Sequence, residues 1–77
     1  MNTYTFRAEC LDDVFNFLSA LAPKHRITFC TLEPDDRFPD VEVLLRTGGT
    51  LKQLQTIADS VEDAHVIADS LSLAAIQ

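Results

Sequence analysis

The sequence predicts a small α+β sandwich. Two helices lie on one face of a four-stranded antiparallel sheet, in the βαββαβ order of the ferredoxin-like split βαβ plan. Two observations predict it. The spacing of apolar residues switches from a period of about two to about 3.6 and back, in the order strand, helix, strand, strand, helix, strand. The chain is also short, 77 residues with 47% apolar, which is enough for one compact core, so a single domain over residues 1–77 is expected. A chain of this size buries only about 60% of its unfolded surface and is expected to be marginally stable alone.

Each element has its own warrant. Tyr4, Phe6 and Ala8 alternate with Thr3, Thr5, Arg7 and Glu9, as in a half-buried strand. Leu11, Val14, Phe15, Leu18, Leu21 and Ala22 then recur at helical spacing. Asp12 and Asp13 suit the positive end of that helix, Pro23 stops it, and Lys24, His25 and Arg26 follow the last turn. Ile27, Phe29 and Thr31 alternate with Thr28, Cys30 and Leu32 in a second strand. Residues 33–40, with two prolines and the acids Glu33, Asp35, Asp36 and Asp40, read as a hairpin loop. Val41, Val43 and Leu45 against Glu42, Leu44 and Arg46 give a third strand, and Gly48-Gly49 a turn. Thr50 and Gln53 have capping-box spacing ahead of the stripe Leu51, Leu54, Ile57, Ala58 and Val61. Val66 and Ala68 against His65, Ile67 and Asp69 suggest a fourth strand, which residues from Leu71 either extend or leave to fray.

With the strands in the order fourth, first, third, second, the helices would cover Tyr4, Phe6, Ile27, Phe29, Val41, Val43, Leu45, Val66 and Ala68. The opposite face would carry Thr5, Arg7, Thr28, Cys30, Leu32, Glu42, Leu44, Arg46, His65, Ile67 and Asp69. Four of those, Cys30, Leu32, Leu44 and Ile67, are apolar. A sheet face left to water is normally more polar, so contact with a partner or a second copy is expected there or at an edge strand.

Composition narrows the function. Twelve acids against six Lys and Arg give a net charge of −6. Duplex binding depends on cations that displace counterions, so direct nucleic-acid binding is not expected. Nor is attraction to anionic membranes, whereas a basic protein partner is favoured. The two cysteines, Cys10 and Cys30, are too few for a disulfide scaffold. Met1-Asn2-Thr3-Tyr4 shows no basic region followed by an apolar run, so no signal peptide is expected, and no apolar run approaches the ~20 residues of a membrane span. A cytoplasmic protein with reduced thiols is expected.

The motifs carry little chemistry. The acidic loop lacks the alternating oxygen ligands and closing Glu of a calcium loop; with Phe38 it reads as a solvated turn or a partner-recognition patch. Thr47-Gly48-Gly49-Thr50 lacks the Lys-Ser/Thr of a phosphate loop and reads as a plain strand-to-helix turn. Cys10 opens a helix, where thiol pKa values fall, but Asp12 and Asp13 oppose that. The two histidines and two cysteines have no zinc spacing, no catalytic order is present, and no metal, cofactor or enzymatic activity is expected. An RNA-recognition module would place aromatics on the open face of its first and third strands, where this chain has Thr5, Arg7, Glu42, Leu44 and Arg46. Phe17, off the helical stripe, and Phe38 are candidate exposed anchors.

The expected function is therefore a small acidic interaction module, an inhibitor or adaptor for a basic, nucleic-acid-handling protein, with Glu33, Asp35, Asp36, Phe38, Asp40, Leu44 and Ile67 as partner-binding residues. In size and charge it resembles the acidic inhibitors carried by phages and mobile elements. The alternative is a ligand-sensing regulatory domain of the ACT type, which shares this topology. Such domains bind effectors near the end of the first strand, where this chain has Glu9-Cys10-Leu11-Asp12 without the usual glycine.

Overall fold

The computed structural model describes residues 1–34, 41–61 and 64–74. Its elements run β1 (Asn2–Ala8), α1 (Leu11–Leu21), β2 (Ile27–Pro34), β3 (Val41–Thr47), α2 (Leu51–Ser60), α3 (His65–Ser70) and β4 (Ser72–Leu73). The four strands form one open antiparallel sheet in the order β2-β3-β1-β4, and the three helices lie on one side of it.

The core is the layer between sheet and helices. From β1 come Tyr4, Phe6 and Ala8, and from β3 come Val43, Leu45 and Thr47. The helices return Val14, Phe17 and Leu21 from α1, Leu54, Ile57 and Ala58 from α2, and Ile67 and Ala68 from α3. Phe6 and Phe17 meet edge to face, ring centroids 5.3 Å apart at 80°, a geometry the aromatic quadrupole favours. The two buried hydroxyls have partners: Tyr4 Oη donates to Gly49 O at 2.6 Å and Thr47 Oγ1 to Arg26 O at 2.8 Å. Burial without such partners would cost more than it returns.

Three expectations are corrected here. The proposed fourth strand, Val66–Ala68 with His65, Ile67 and Asp69, is the helix α3. Ala64, Ile67, Ala68 and Leu71 are all buried, at the i, i+3, i+4, i+7 spacing of a helix face. A short apolar run satisfies both periods, and this one resolves to the helical one. The strand that does pair with β1 is two residues long and comes later, Ser72 opposite Thr5 and Leu73 opposite Tyr4. Beyond it, Ser70 Oγ accepts from the Arg7 N–H at 2.8 Å, doing with a side chain what a longer strand would do with its backbone.

Second, β2 carries a bulge. Ile27 pairs with Thr47 but Phe29 pairs with Arg46, leaving Thr28 as the extra residue, its hydroxyl 3.4 Å from Arg46 O. One inserted residue moves every later side chain to the other face. Phe29, expected under the helices, therefore sits on the open face and is 48% exposed. Cys30 and Leu32, expected on the open face, pair with Leu45 and Val43 on the helix side. The helices pack mostly over β1, so this edge is thinly covered and Leu32 stays partly exposed.

Third, α1 is rotated from its expected stripe. Phe17 is fully buried, whereas Phe15 and Leu11 are 52% and 48% exposed. The helix is apolar over more than one side, so its own spacing leaves the inward side undetermined; contact with Phe6 selects it. The stripe of α2 stands as expected. So does its capping box, with Gln53 N–H donating to Thr50 Oγ1 at 3.2 Å and Thr50 N–H to Gln53 Oε1 at 2.9 Å.

Candidate functional site

The open side of the sheet is a structured surface that the helices leave uncovered. Strand register lays it out as three rows. Thr3, Arg46 and Phe29 form the first, Thr5, Leu44 and Thr31 the second, Arg7, Glu42 and Glu33 the third. Leu44 is at the centre of this grid, half-buried between two shallow depressions. One, of about 520 Å³, is bordered by Thr3, Thr28, Phe29 and Arg46. The other, of about 190 Å³, is bordered by Thr5, Thr31, Glu33 and Glu42. The face carries two arginines and two glutamates, so it is electrically neutral and the chain's net charge of −6 lies elsewhere.

Charge is also sorted along the strands. Ala8, Val41 and Pro34 are paired neighbours at one end of the sheet. Glu9, Asp12 and Asp13 follow directly from Ala8, and Glu33 and Glu42 pair with each other one residue in from Pro34 and Val41. Two carboxylates directly opposite on neighbouring strands repel. Thr47 and Ile27 are paired at the other end, where Lys24, His25, Arg26 and Lys52 gather around the turns that enter β2 and α2. The domain thus has an acidic end and a basic end, with Arg7 set among the acids.

The expected site residues fall in three groups. Leu44 is on the open face, and Glu33 is there too, on β2 opposite Glu42 and not in the loop. Ile67 is not on that face: it is fully buried in the core as part of α3, and Phe17, a candidate exposed anchor, is buried as well. Asp35, Asp36, Phe38 and Asp40 lie outside the described residues. Phe29 is the surface aromatic that the strand alternation missed; the bulge that exposes it leaves no local signature in the sequence.

The Gly48-Gly49 turn is structural. Gly49 has φ +94, and a Cβ there would come within 3.0 Å of His25 Cε1, so only glycine fits both the backbone and the packed imidazole. Gly48 N–H bonds Arg26 O at 3.3 Å, and the Thr50 and Gln53 N–H groups are taken by the capping box. A cleft of about 370 Å³ beside it is bordered by Lys24, His25, Lys52 and Thr56.

Both cysteines are free, Cys10 exposed and Cys30 partly buried. Burial pushes the Cys30 thiol above its ordinary pKa, which keeps it protonated. Among the described residues no group of three His, Cys, Asp or Glu side chains could hold a metal ion, and no helix is long and apolar enough to cross a membrane. No family model matches the sequence, and no curated protein matches it as a relative.

Proposed function

We propose that this chain is a non-catalytic interaction module of the cytoplasm, acting as an inhibitor or adaptor that binds a basic protein partner through its acidic end. Its scaffold is a variant of the ferredoxin-like plan in which the last strand is mostly replaced by α3. The observation that carries the reading is the sorting of charge: Glu9, Asp12, Asp13, Glu33 and Glu42 outnumber Arg7 at one end of the sheet, and Lys24, Arg26 and Lys52 gather at the other. A domain polarised in this way orients itself in the field of a cationic surface before contact, which raises the association rate. Pro34 and Val41, which flank residues 35–40 in the sequence, are paired at this same end.

The experiment is retention on a column of the immobilised protein, with source-cell proteins eluted by a salt gradient and compared with the triple variant Glu9→Gln, Asp12→Asn, Asp13→Asn. The reading expects basic proteins that elute early from the variant, since the Debye length of about 8 Å at physiological salt screens such contacts. Equal retention by parent and variant sinks it. Retention of a small metabolite in native mass spectrometry would instead favour the ligand-sensing alternative.

A further inference from the structure

We propose that the open sheet face is a self-association surface, joining two copies about a two-fold axis that crosses the strands at Leu44. This goes beyond the binding of a basic partner, which is assigned to the acidic end. Three observations carry it. The open face is neutral while the rest of the chain holds the whole net charge of −6. A basic partner gains little from a neutral face, whereas a second acidic copy can approach there with least repulsion.

The charge pattern then fixes the geometry. A surface that meets its own copy must complement its own image. With the axis across the strands, the first row of one copy lies over the third row of the other. Arg46 meets Glu42 of the second copy, twice by symmetry. Thr3 lies over Arg7, Phe29 lies over the stem of Glu33, and Leu44 meets Leu44 at the centre. Each Arg46 then approaches a carboxylate that its own chain places opposite Glu33. With the axis turned along β3, Arg46 would face Arg46 and Glu42 would face Glu42, a like-charge arrangement that selects against itself.

Third, among the described residues neither sheet edge offers a long, regular template for strand addition, which favours the face. β2 is interrupted by a bulge at Thr28 and ends in Pro34, both of which discourage edge pairing. The outer edge of β1 is occupied along its length: Ala74 N–H bonds Thr3 O at 2.9 Å, Ser72 and Leu73 pair with Thr5 and Tyr4, and Ser70 takes the Arg7 N–H. Three strands ~4.8 Å apart and three rows ~7 Å apart give a footprint of roughly 300 Å² a side. That is small beside the ~800 Å² of a standard interface, so the dimer is weak and concentration-dependent.

Sedimentation over a concentration series at low salt tests this. The parent is expected to pass from monomer to dimer. Glu42→Arg and Arg46→Glu, each creating a like-charge contact, should raise the dissociation constant by about tenfold or more. The double variant, which swaps the two charges in both copies, should recover the dimer, and Leu44→Glu should remove it. Circular dichroism confirms that each variant is folded; if a charge reversal unfolds, Glu42→Gln and Arg46→Gln are expected to weaken the dimer in the same direction. A parent that stays monomeric at its solubility limit overturns the proposal. So does a dimer indifferent to Arg46→Glu, or a double variant that remains monomeric. Retention of basic proteins is read separately through Glu9, Asp12 and Asp13, none of which lies on the open face.

Discussion

Alternate residues of β1 and β3 point to opposite sides of one sheet, and the two sides answer to different constraints. Toward the helices stand Tyr4, Phe6, Ala8, Val43, Leu45 and Thr47, none more than 1% exposed. Even the hydroxyls among them are hydrogen-bonded. Away from the helices stand Thr3, Thr5, Arg7, Glu42, Leu44 and Arg46, all partly or fully exposed. On the covered side a side chain is fixed by volume and hydrogen-bond satisfaction, so a change there is read as lost stability. On the open side neither constraint acts. What is fixed is the balance and placement of charge, so a change there is read in association.

The largest expected effect tests the covered side. Phe17→Ala removes a fully buried ring from its edge-to-face contact with Phe6 and should cost about 3–5 kcal/mol, a large share of the stability of a small domain. Phe15→Ala, two residues away and 52% exposed, should cost well under ~1 kcal/mol. Urea denaturation of both variants checks the rotation of α1; similar losses would break the contrast.

The next two effects lie at the basic end. Gly49→Ala forces φ +94 on a residue with a Cβ and presses it against His25, and about 1–2 kcal/mol of destabilisation is expected. Gly48→Ala, with open space around its Cβ position, is the matched control. Thr50→Ala removes the side-chain acceptor of the capping box and should cost about 1 kcal/mol. Thermal unfolding of the three variants ranks them. A Gly49→Ala no worse than Gly48→Ala would remove the turn from the list of fixed positions.

The smallest effect separates the two thiols. Iodoacetamide at neutral pH should label Cys10, which is exposed, well before Cys30. Burial raises the Cys30 pKa, so its reactive thiolate is scarce at neutral pH and its labelling should climb only as pH passes above the ordinary thiol range. The sign for folding follows: this group favours the folded state below its unfolded pKa, and that contribution is lost as pH rises through the folded one. Equal labelling rates at neutral pH would show that β2 is no better covered than its exposed neighbour.

Some of this architecture was legible and some was not. The stripe of α2 with its Thr50–Gln53 box, and the strict alternation of β1 and β3, are local patterns that satisfy one period and no other. Residues 64–71 satisfied two: Val66 and Ala68 alternate with Ile67 as in a strand, while Ala64, Ile67, Ala68 and Leu71 repeat as in a helix. The candidate site is less legible in the sequence. Leu44 and Glu33 fall on the open face, but Ile67 went into the core with α3, and Phe29 came out in its place.

By itself the sequence determined the period of each well-patterned element, the acidity of the chain, and the cap and glycine turn that start α2, because each depends on residues within one or two turns of one another. The tertiary structure alone decided which side of α1 faces inward, where β2 bulges, and which residues of β2 share a face with Leu44. Those choices are made by contacts between residues far apart in the chain, Phe6 with Phe17 and Thr28 with Arg46. The neutral face and the two charged ends are products of strand register. A one-residue shift in β2 moves Phe29 from one side of the sheet to the other without changing the composition at all.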